Sequence, residues 1–143
     1  MRVHGELERI FPEHYENLSR HRERGIPLSP NHQAYREKER FGELLLVTLR
    51  EGGEMAGYCT VLVGRSMHYE TITAVPDLLY IRESTRKTRF AVYRRLLRAT
   101  EKELRARGVE CWFSGTKVHR NAARLLRAMG FEAVEEMLCK WLD

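Results

Sequence analysis

Long apolar runs and paired cysteines are missing from this sequence. No apolar run is longer than four residues, whereas a membrane-spanning helix needs ~20 apolar residues. Residues 1–9 include both acidic and basic side chains and contain no apolar segment. We therefore expect neither a secretory signal nor a membrane span. Cysteine occurs three times, never with Cys-x-x-Cys spacing, at Cys59, Cys111 and Cys139. We therefore predict reduced, mostly buried thiols in a cytoplasmic protein, and neither a disulfide framework nor a zinc site.

Histidines are scattered too, and no pair has helical ligand spacing with a third ligand nearby: His4, His14, His21, His32, His68 and His119. We predict no metal site.

The chain does have the composition of one globular domain over residues 1–143, with 43% apolar and 31% charged residues. Its net charge is +5, and basic residues crowd one stretch: Arg82, Arg86, Lys87, Arg89, Arg94, Arg95 and Arg98. Such a stretch suits an anionic ligand, a nucleotide cofactor or a nucleic acid.

Apolar periodicity and turn residues predict the order of the elements. Helices are predicted over residues 13–24, 31–40, 90–107 and 119–129, the last starting at either His119 or Asn121. Strands are predicted over residues 43–50, 55–63, 71–75, 78–81, 109–114 and 132–142. The first two strands form a hairpin, and Pro76 separates the next two. This order, which ends β-α-β-α-β, indicates an α/β (α+β) fold with a mixed sheet and helices on its faces.

Three segments, in order along the chain, carry a resemblance to a known family. Residues 78–113 read LLYIRESTRKTRFAVYRRLLRATEKELRARGVECWF, and residues 117–142 read KVHRNAARLLRAMGFEAVEEMLCKWL. They resemble the central strand, pyrophosphate loop, long helix and Gly-Phe ending of the GNAT acyl-CoA N-acyltransferases. Residues 57–81, GYCTVLVGRSMHYETITAVPDLLYI, resemble a compact subgroup often encoded by bacteriophages. The resemblance implies a mostly antiparallel sheet with splayed central strands, in the cytoplasm of a bacterium or a phage-infected cell.

The resemblance also implies transfer of an acetyl group from acetyl-CoA to a primary amine by direct attack. The implied cofactor site is Tyr80, Ile81, Arg82, Arg86, Lys87, Thr88, Arg89, Phe90 and Ala91. Asn121, or else His119, lies near the position of a family Asn that contacts the cofactor. Two residues depart from the family pattern. Arg89 replaces the first loop glycine, in a loop that also fits the register 88–93, and Leu126 stands near the position of a Tyr general acid.

Four residues are the main candidates for proton transfer in this reaction: His68, Asp77, Lys117 and His119. Glu70, just before the neighbouring strand, is a further candidate base. Asp77 precedes the central strand, and a simple turn residue after Pro76 is the alternative. His68 follows a strand end and can exchange protons near neutral pH, unless it is an ordinary loop histidine. Lys117 and His119 follow the 109–114 strand at the end where open α/β sheets bind ligands, although Lys117 also suits a surface charge. Backbone N–H groups of residues 78–82 are expected to stabilise the oxyanion.

Two functions stay open at this level. The first is an N-acetyltransferase acting on a small-molecule or macromolecular amine, in a fold where homodimers are common. The second is a non-catalytic module of the same fold that binds a protein partner or a nucleic acid, motivated by the missing loop glycine and the Arg-rich helix start. Nucleic acid is the less favoured partner, because the sequence has no aromatic series suited to base stacking. Phe11, Tyr15 and Tyr35 either pack on the sheet or contact the acceptor.

Overall fold

In the computed structural model, the backbone is described for residues 2–142 and the side chains for residues 5–85 and 90–142. The helices of the described chain are α1 (Arg2–Leu18), a 3₁₀ helix (His21–Arg24), α2 (His32–Arg40), a second 3₁₀ helix (Glu83–Thr88), α3 (Arg89–Ala106) and α4 (Ala123–Ala128). Asn31 caps α2, because its side-chain oxygen accepts a hydrogen bond from Ala34 N at 3.0 Å. None of the described helices is both long and apolar enough to cross a bilayer.

The sheet has the strand order β1-β2-β3-β4. Its strands are β1 (Leu44–Glu51), β2 (Glu54–Arg65), β3 (Ile72–Ile81) and β4 (Cys111–Trp112). β1 and β3 both pair antiparallel with β2, whereas β4 pairs parallel with β3. The β2–β3 register shifts after Thr60, which pairs with Leu78 while Val61 pairs with Pro76, so Asp77 is the extra residue of a β-bulge.

Helices cover both faces of this sheet. α1 contributes Leu7, Ile10, Phe11 and Leu18 to one core, which includes Tyr58 of β2 and Tyr80 of β3. α3 contributes Val92, Leu96 and Leu104 to a second core on the other face, with Cys59, Val61 and Ile81 from the strands. Tyr58 and Cys59 face opposite cores because successive side chains of a strand alternate between the faces. The predicted α/β (α+β) fold, a mostly antiparallel mixed sheet with helices on both faces, is confirmed.

Several predicted elements are confirmed and others are corrected. The α2 helix and the β1–β2 hairpin lie where the sequence predicts them. The first helix begins at Arg2 and not at residue 13, because Leu7, Ile10 and Phe11 form an apolar face that charged neighbours obscure. The two strands predicted on either side of Pro76 are a single strand, since the bulge accommodates a residue that has no N–H for the ladder.

The predicted final strand at residues 132–142 is wrong. The segment has no regular structure, and Val134, Met137 and Leu138 are exposed at 70%, 85% and 84%. Two charged residues, Glu135 and Glu136, are followed by two apolar residues, Met137 and Leu138. The strict alternation of apolar and polar residues that buries one face of a strand is therefore missing. The Trp141 ring instead packs 5.1 Å from the His21 ring and 4.9 Å from the Arg24 guanidinium.

The prediction of mostly buried thiols is also corrected. Cys59 is buried beneath α3, whereas Cys111 and Cys139 are exposed. Cys111 lies in the two-residue strand β4 at the end of the strand order, and Cys139 lies in the irregular segment that follows α4. Both positions leave the thiol outside the two cores.

Candidate active site

The strands β3 and β4 pair over a short distance and then separate. Their register joins Thr73 to Cys111 and Ala74 to Trp112, and Phe113 N donates to Ala74 O at 2.8 Å. β3 continues to Ile81, paired with β2, while the chain after β4 continues through residues 114–122 to α4. We call the space between residues 75–81 and residues 114–117 the β3–β4 cleft. The splay of the two strands agrees with the sequence-based expectation.

Asp77 lies at the β-bulge, where β3 leaves its parallel neighbour. Its Oδ2 accepts a hydrogen bond from Thr60 Oγ1 at 2.7 Å and another from the Tyr35 hydroxyl at 3.1 Å. Thr60 Oγ1 in turn accepts from Leu78 N at 3.0 Å. Burial, with the Asp77 charge adding to it, raises the pKa of Tyr35, so this phenol stays protonated and donates. The bulge therefore holds an exposed carboxylate in a fixed orientation.

A histidine of α1 lies over the same face of the sheet. The His14 ring stacks on the Tyr80 ring, with 4.7 Å between centroids and 5° between planes. Its Nδ1 lies 2.5 Å from the hydroxyl oxygen of Tyr58, a fully buried side chain. Burial, and after it the positive charge of Lys117, lowers the pKa of His14 to about 4. Lys117 follows β4, so its charge acts on His14 from the segment into which β4 continues.

Glu13 connects α1 to the end of β3. Its Oε1 accepts hydrogen bonds from the Tyr80 hydroxyl at 2.7 Å and from Glu83 N at 2.9 Å, and its Oε2 accepts from Arg82 Nε at 3.3 Å. Burial raises the pKa of Glu13, but these donors outweigh it and hold the pKa below its usual value. The carboxylate therefore secures the point where the chain leaves β3 for residues 83–88, which we call the basic loop.

The basic loop leads directly into a long helix. Its backbone forms the 3₁₀ helix Glu83–Thr88, and the 18-residue helix α3 follows without a break. The side chains of the predicted cofactor-binding residues Arg86, Lys87, Thr88 and Arg89 lie outside the described part. Phe90 and Ala91 are exposed in the first turn of α3. Tyr80 and Ile81 are fully buried, on opposite faces of β3.

The remaining predicted site residues lie at different places. Lys117, His119 and Asn121 are all exposed between β4 and α4. The charge of Lys117 acts on His14, and Asn121 Oδ1 accepts from Ala123 N at 2.8 Å. His68 is exposed in the β2–β3 connection, and the residues from Ile72 to Asp77 separate it from the bulge by about 16 Å. The structure thus brings Asp77 and Lys117 to the cleft and His68 to the opposite end of β3. Among the described side chains, no three His, Cys, Asp or Glu are placed to hold a metal ion.

Sequence reasoning missed His14, Tyr58 and Glu13. The signal was weak, because these residues fall at ordinary amphipathic positions of a helix and a strand. Tyr35 was considered for either packing or acceptor contact, and its hydroxyl binds Asp77. Phe11 packs, with its ring 5.7 Å from that of Tyr58. Beside these residues, a cavity between α1, α2 and the sheet is lined by Leu7, Phe11, His32, Tyr35, Glu39, Leu44, Leu46 and Thr60.

Comparisons with known proteins give a consistent answer about the fold. No family model matches the chain, and no curated protein matches it. Among solved structures, it is similar to an aminoglycoside acetyltransferase from an uncultured soil metagenomic sample, in complex with sisomicin. That likeness has a TM-score of 0.72 at 19% identity and covers 99% of this chain and 88% of the other.

Two further solved structures are similar over most of their length. Glucosamine-6-phosphate N-acetyltransferase from Arabidopsis thaliana has a TM-score of 0.66 at 10% identity, covering 78% of this chain and 76% of that one. A transcriptional regulator from Bacillus halodurans has a TM-score of 0.67 at 20% identity, and the likeness covers 77% of this chain and 73% of that one. At these identities the likeness establishes the fold alone, and the fold of this chain is the one that these solved structures share.

Proposed function

We propose that this chain is an N-acyltransferase that moves an acetyl group from acetyl-CoA to a primary amine by direct attack. The separation of β3 from β4 after Ala74, next to the bulge at Asp77, is the observation that carries the proposal. It gives a cleft with a fixed carboxylate on one side and a basic loop at its end. The fold shared with solved acetyltransferases supports the same reaction class.

The residues around the β3–β4 cleft suit acetyl-CoA, the donor of the acetyl group. Leu78 N donates to Thr60 Oγ1 and Arg82 N donates to Ala56 O, so both amides point towards β2. Backbone groups alternate sides along a strand, and Leu79 N–H therefore points towards the cleft. The amides at the start of α3 favour a diphosphate. We expect the diphosphate to bind there, together with Arg86, Lys87, Thr88 and Arg89, so that the thioester lies beside β3.

The acceptor is expected on the opposite side, in the cavity between α1, α2 and the sheet. Tyr35 and Thr60 line this cavity, and both donate to Asp77. An amine that enters the cavity therefore approaches the Asp77 carboxylate. The lining is largely apolar, through Leu7 and Phe11 among others, and the space is small, so we expect only the amine end of a small-molecule or macromolecular acceptor to reach it.

Asp77 is the expected proton acceptor. An ammonium group has no lone pair, so a base must take its proton before it attacks a thioester. In the described part of the chain, both hydrogen bonds of Asp77 go to Oδ2. Oδ1 can therefore receive the proton from the amine while Tyr35 and Thr60 keep the carboxylate in place.

Calorimetry with acetyl-CoA, followed by an assay of CoA release over a panel of amines, tests the proposal. We expect saturable binding and amine-dependent release of CoA. The variant Asp77→Asn is expected to keep its acetyl-CoA affinity and to lose kcat on the order of 100-fold. Glu51→Gln removes an exposed carboxylate at the far end of β1 and is expected to leave both unchanged. Absence of binding at millimolar acetyl-CoA would overturn the proposal.

The exposed side chains of α3 favour a second candidate function, the binding of a polyanion without catalysis. Arg94, Arg95 and Arg98 are all exposed along this helix. If nucleic acid binds there, its affinity should fall steeply with salt, because phosphate contacts release counterions. Titration of a labelled oligonucleotide at several salt concentrations measures this slope, and the absence of binding at low salt would rule the candidate out.

A further inference from the structure

The hydroxyl of Tyr58 determines which nitrogen of His14 carries the proton. Tyr58 is fully buried, and burial raises the pKa of its phenol, so the O–H proton is retained. A buried hydroxyl proton requires an acceptor. In the described part of the chain, the hydrogen bond of Tyr58 Oη is to His14 Nδ1. Nδ1 must therefore accept, and a neutral His14 carries its proton on Nε2.

The surroundings of His14 keep the ring neutral. On its own helix the neighbouring acid, Glu13, is engaged with Tyr80 and Glu83 N. The sheet presents the uncharged phenols of Tyr58 and Tyr80, and the segment after β4 presents the Lys117 ammonium. A buried ring beside a cation strongly disfavours a second positive charge, so the pKa of His14 falls to about 4. At neutral pH the imidazole is thus a donor at Nε2 and an acceptor at Nδ1.

We propose that His14 donates its Nε2–H hydrogen bond to the thioester carbonyl oxygen, with Tyr58 as the positioning residue that fixes this tautomer. The inference rests on the proposed function. His14 stacks on Tyr80, within the part of β3 that is no longer paired with β4, and the charge of Lys117 acts on the ring from the segment after β4. The ring is therefore beside the cleft, on the face where we expect the amine.

The chemistry needs no proton from His14. Once Asp77 has taken the first proton of the ammonium group, the amine nitrogen forms a bond to the carbonyl carbon. The carbon–sulfur bond then breaks with its electron pair on the CoA sulfur, and the second amine proton passes to that thiolate. Negative charge develops on the carbonyl oxygen between these events, and an oriented N–H stabilises it where it forms. The positive charge of Lys117 is expected to stabilise the same negative charge on the carbonyl oxygen. A ring that stays neutral keeps its proton and acts only as a donor.

Nuclear magnetic resonance of the ¹⁵N-labelled wild-type protein tests the tautomer without any ligand. Two-dimensional spectra of the imidazole nitrogens at pH 7 are expected to show His14 neutral, with its proton on Nε2. In Tyr58→Phe the Nδ1 acceptor loses its donor, and we expect the second tautomer to appear. A proton on Nδ1 in the wild-type protein would overturn the inference, whatever the protein binds.

Infrared spectroscopy of bound acetyl-CoA, labelled with ¹³C at the carbonyl, tests the hydrogen bond itself. We expect the carbonyl stretch to shift to lower frequency in the wild-type protein and to shift less in His14→Gln. In His14→Ala we expect only the smaller shift that the backbone N–H groups of β3 cause. kcat should fall on the order of 100-fold in His14→Ala while acetyl-CoA affinity is kept. Equal shifts in wild-type and His14→Ala proteins would overturn the inference alone, whereas failure of acetyl-CoA to bind would overturn the proposed function.

Discussion

Arg120 Nη1 lies 3.1 Å from Glu83 Oε1, and this ion pair joins the two segments that leave the sheet on either side of the β3–β4 cleft. Glu83 begins the basic loop after β3, and Arg120 precedes α4 after β4. Their side chains are 46% and 33% exposed, so the pair adds less than about 1 kcal/mol to the stability of the fold. Its consequence is positional, because it limits how far the two sides of the cleft can move apart.

We expect Arg120→Ala to change the kinetics of acetyl-CoA binding more than its affinity. Without the ion pair the two segments separate more easily, so the association and dissociation rate constants should both rise. Stopped-flow fluorescence measures both constants. Arg124→Ala removes an exposed guanidinium from the first turn of α4 and serves as the matched control. Unchanged rate constants in Arg120→Ala would show that the ion pair does not limit access.

Gly57 is expected to be intolerant of a side chain. A Cβ built on Gly57 would lie 2.7 Å from the backbone oxygen of Tyr80 and 3.0 Å from Cγ1 of Ile81, so β3 would have to shift. Gly57→Ala should lower the free energy of unfolding by about 1–3 kcal/mol, the usual cost of overpacking. Gly64, in the same strand, has nothing within 4 Å of its built Cβ, and Gly64→Ala should be close to neutral. Equal unfolding midpoints in urea for the two variants would contradict this contact.

The sequence predicts the fold well where the pattern is local. The β1–β2 hairpin follows from two β-rich runs around Gly52-Gly53, whose φ angles of 57° and 84° only glycine adopts readily. The α3 helix follows from its 3.6-residue periodicity. The bulge at Asp77 was not predictable, because it depends on how β3 is registered against β2. The irregular residues after α4 were not predictable either, since a strand exists only where a neighbour accepts its hydrogen bonds.

The site is only partly predictable for the same reason. Asp77 and Lys117 were found because both flank predicted strands, although their roles stay predictions. His14 and Tyr58 are 44 residues apart, and no local pattern joins them. Their pairing depends on α1 crossing the sheet above β2 and β3. Tertiary packing of this kind creates the perturbed groups, so the sequence contains the residues but not their relationship.

The three thiols are expected to differ sharply in reactivity. Burial raises the pKa of Cys59 to about 11, whereas Cys111 and Cys139 are exposed. Thiolate is the reactive form, so a disulfide reagent at pH 8 should titrate two thiols quickly in the folded protein and the third only in denaturant. In Cys111→Ser only one thiol should react quickly with the reagent. A fast reaction of all three thiols would contradict the burial of Cys59 beneath α3.

Stability in mild acid is expected to depend on His14. Its pKa is about 4 in the folded protein and 6.5 in the unfolded chain. The unfolded state therefore binds more protons between these values, and the free energy of unfolding falls as the pH drops from 6.5 towards 4. Above pH 6.5 this contribution is fully present. The loss is on the order of 1–3 kcal/mol, and urea unfolding at pH 7.5, 6, 5 and 4 measures it.

The variant His14→Gln separates this contribution from that of Glu13. Glutamine does not titrate, so the variant should lose less stability between pH 6.5 and 4 than the wild-type protein. The pKa of Glu13 is held below its usual value of 4.5, and its own contribution is lost only as the pH falls through that lower range. Glu13→Gln should therefore alter the curve below pH 4.5 and keep the fall above it. Parallel curves for wild-type and His14→Gln proteins between pH 7.5 and 5 would mean that His14 is not desolvated by α1 and the sheet.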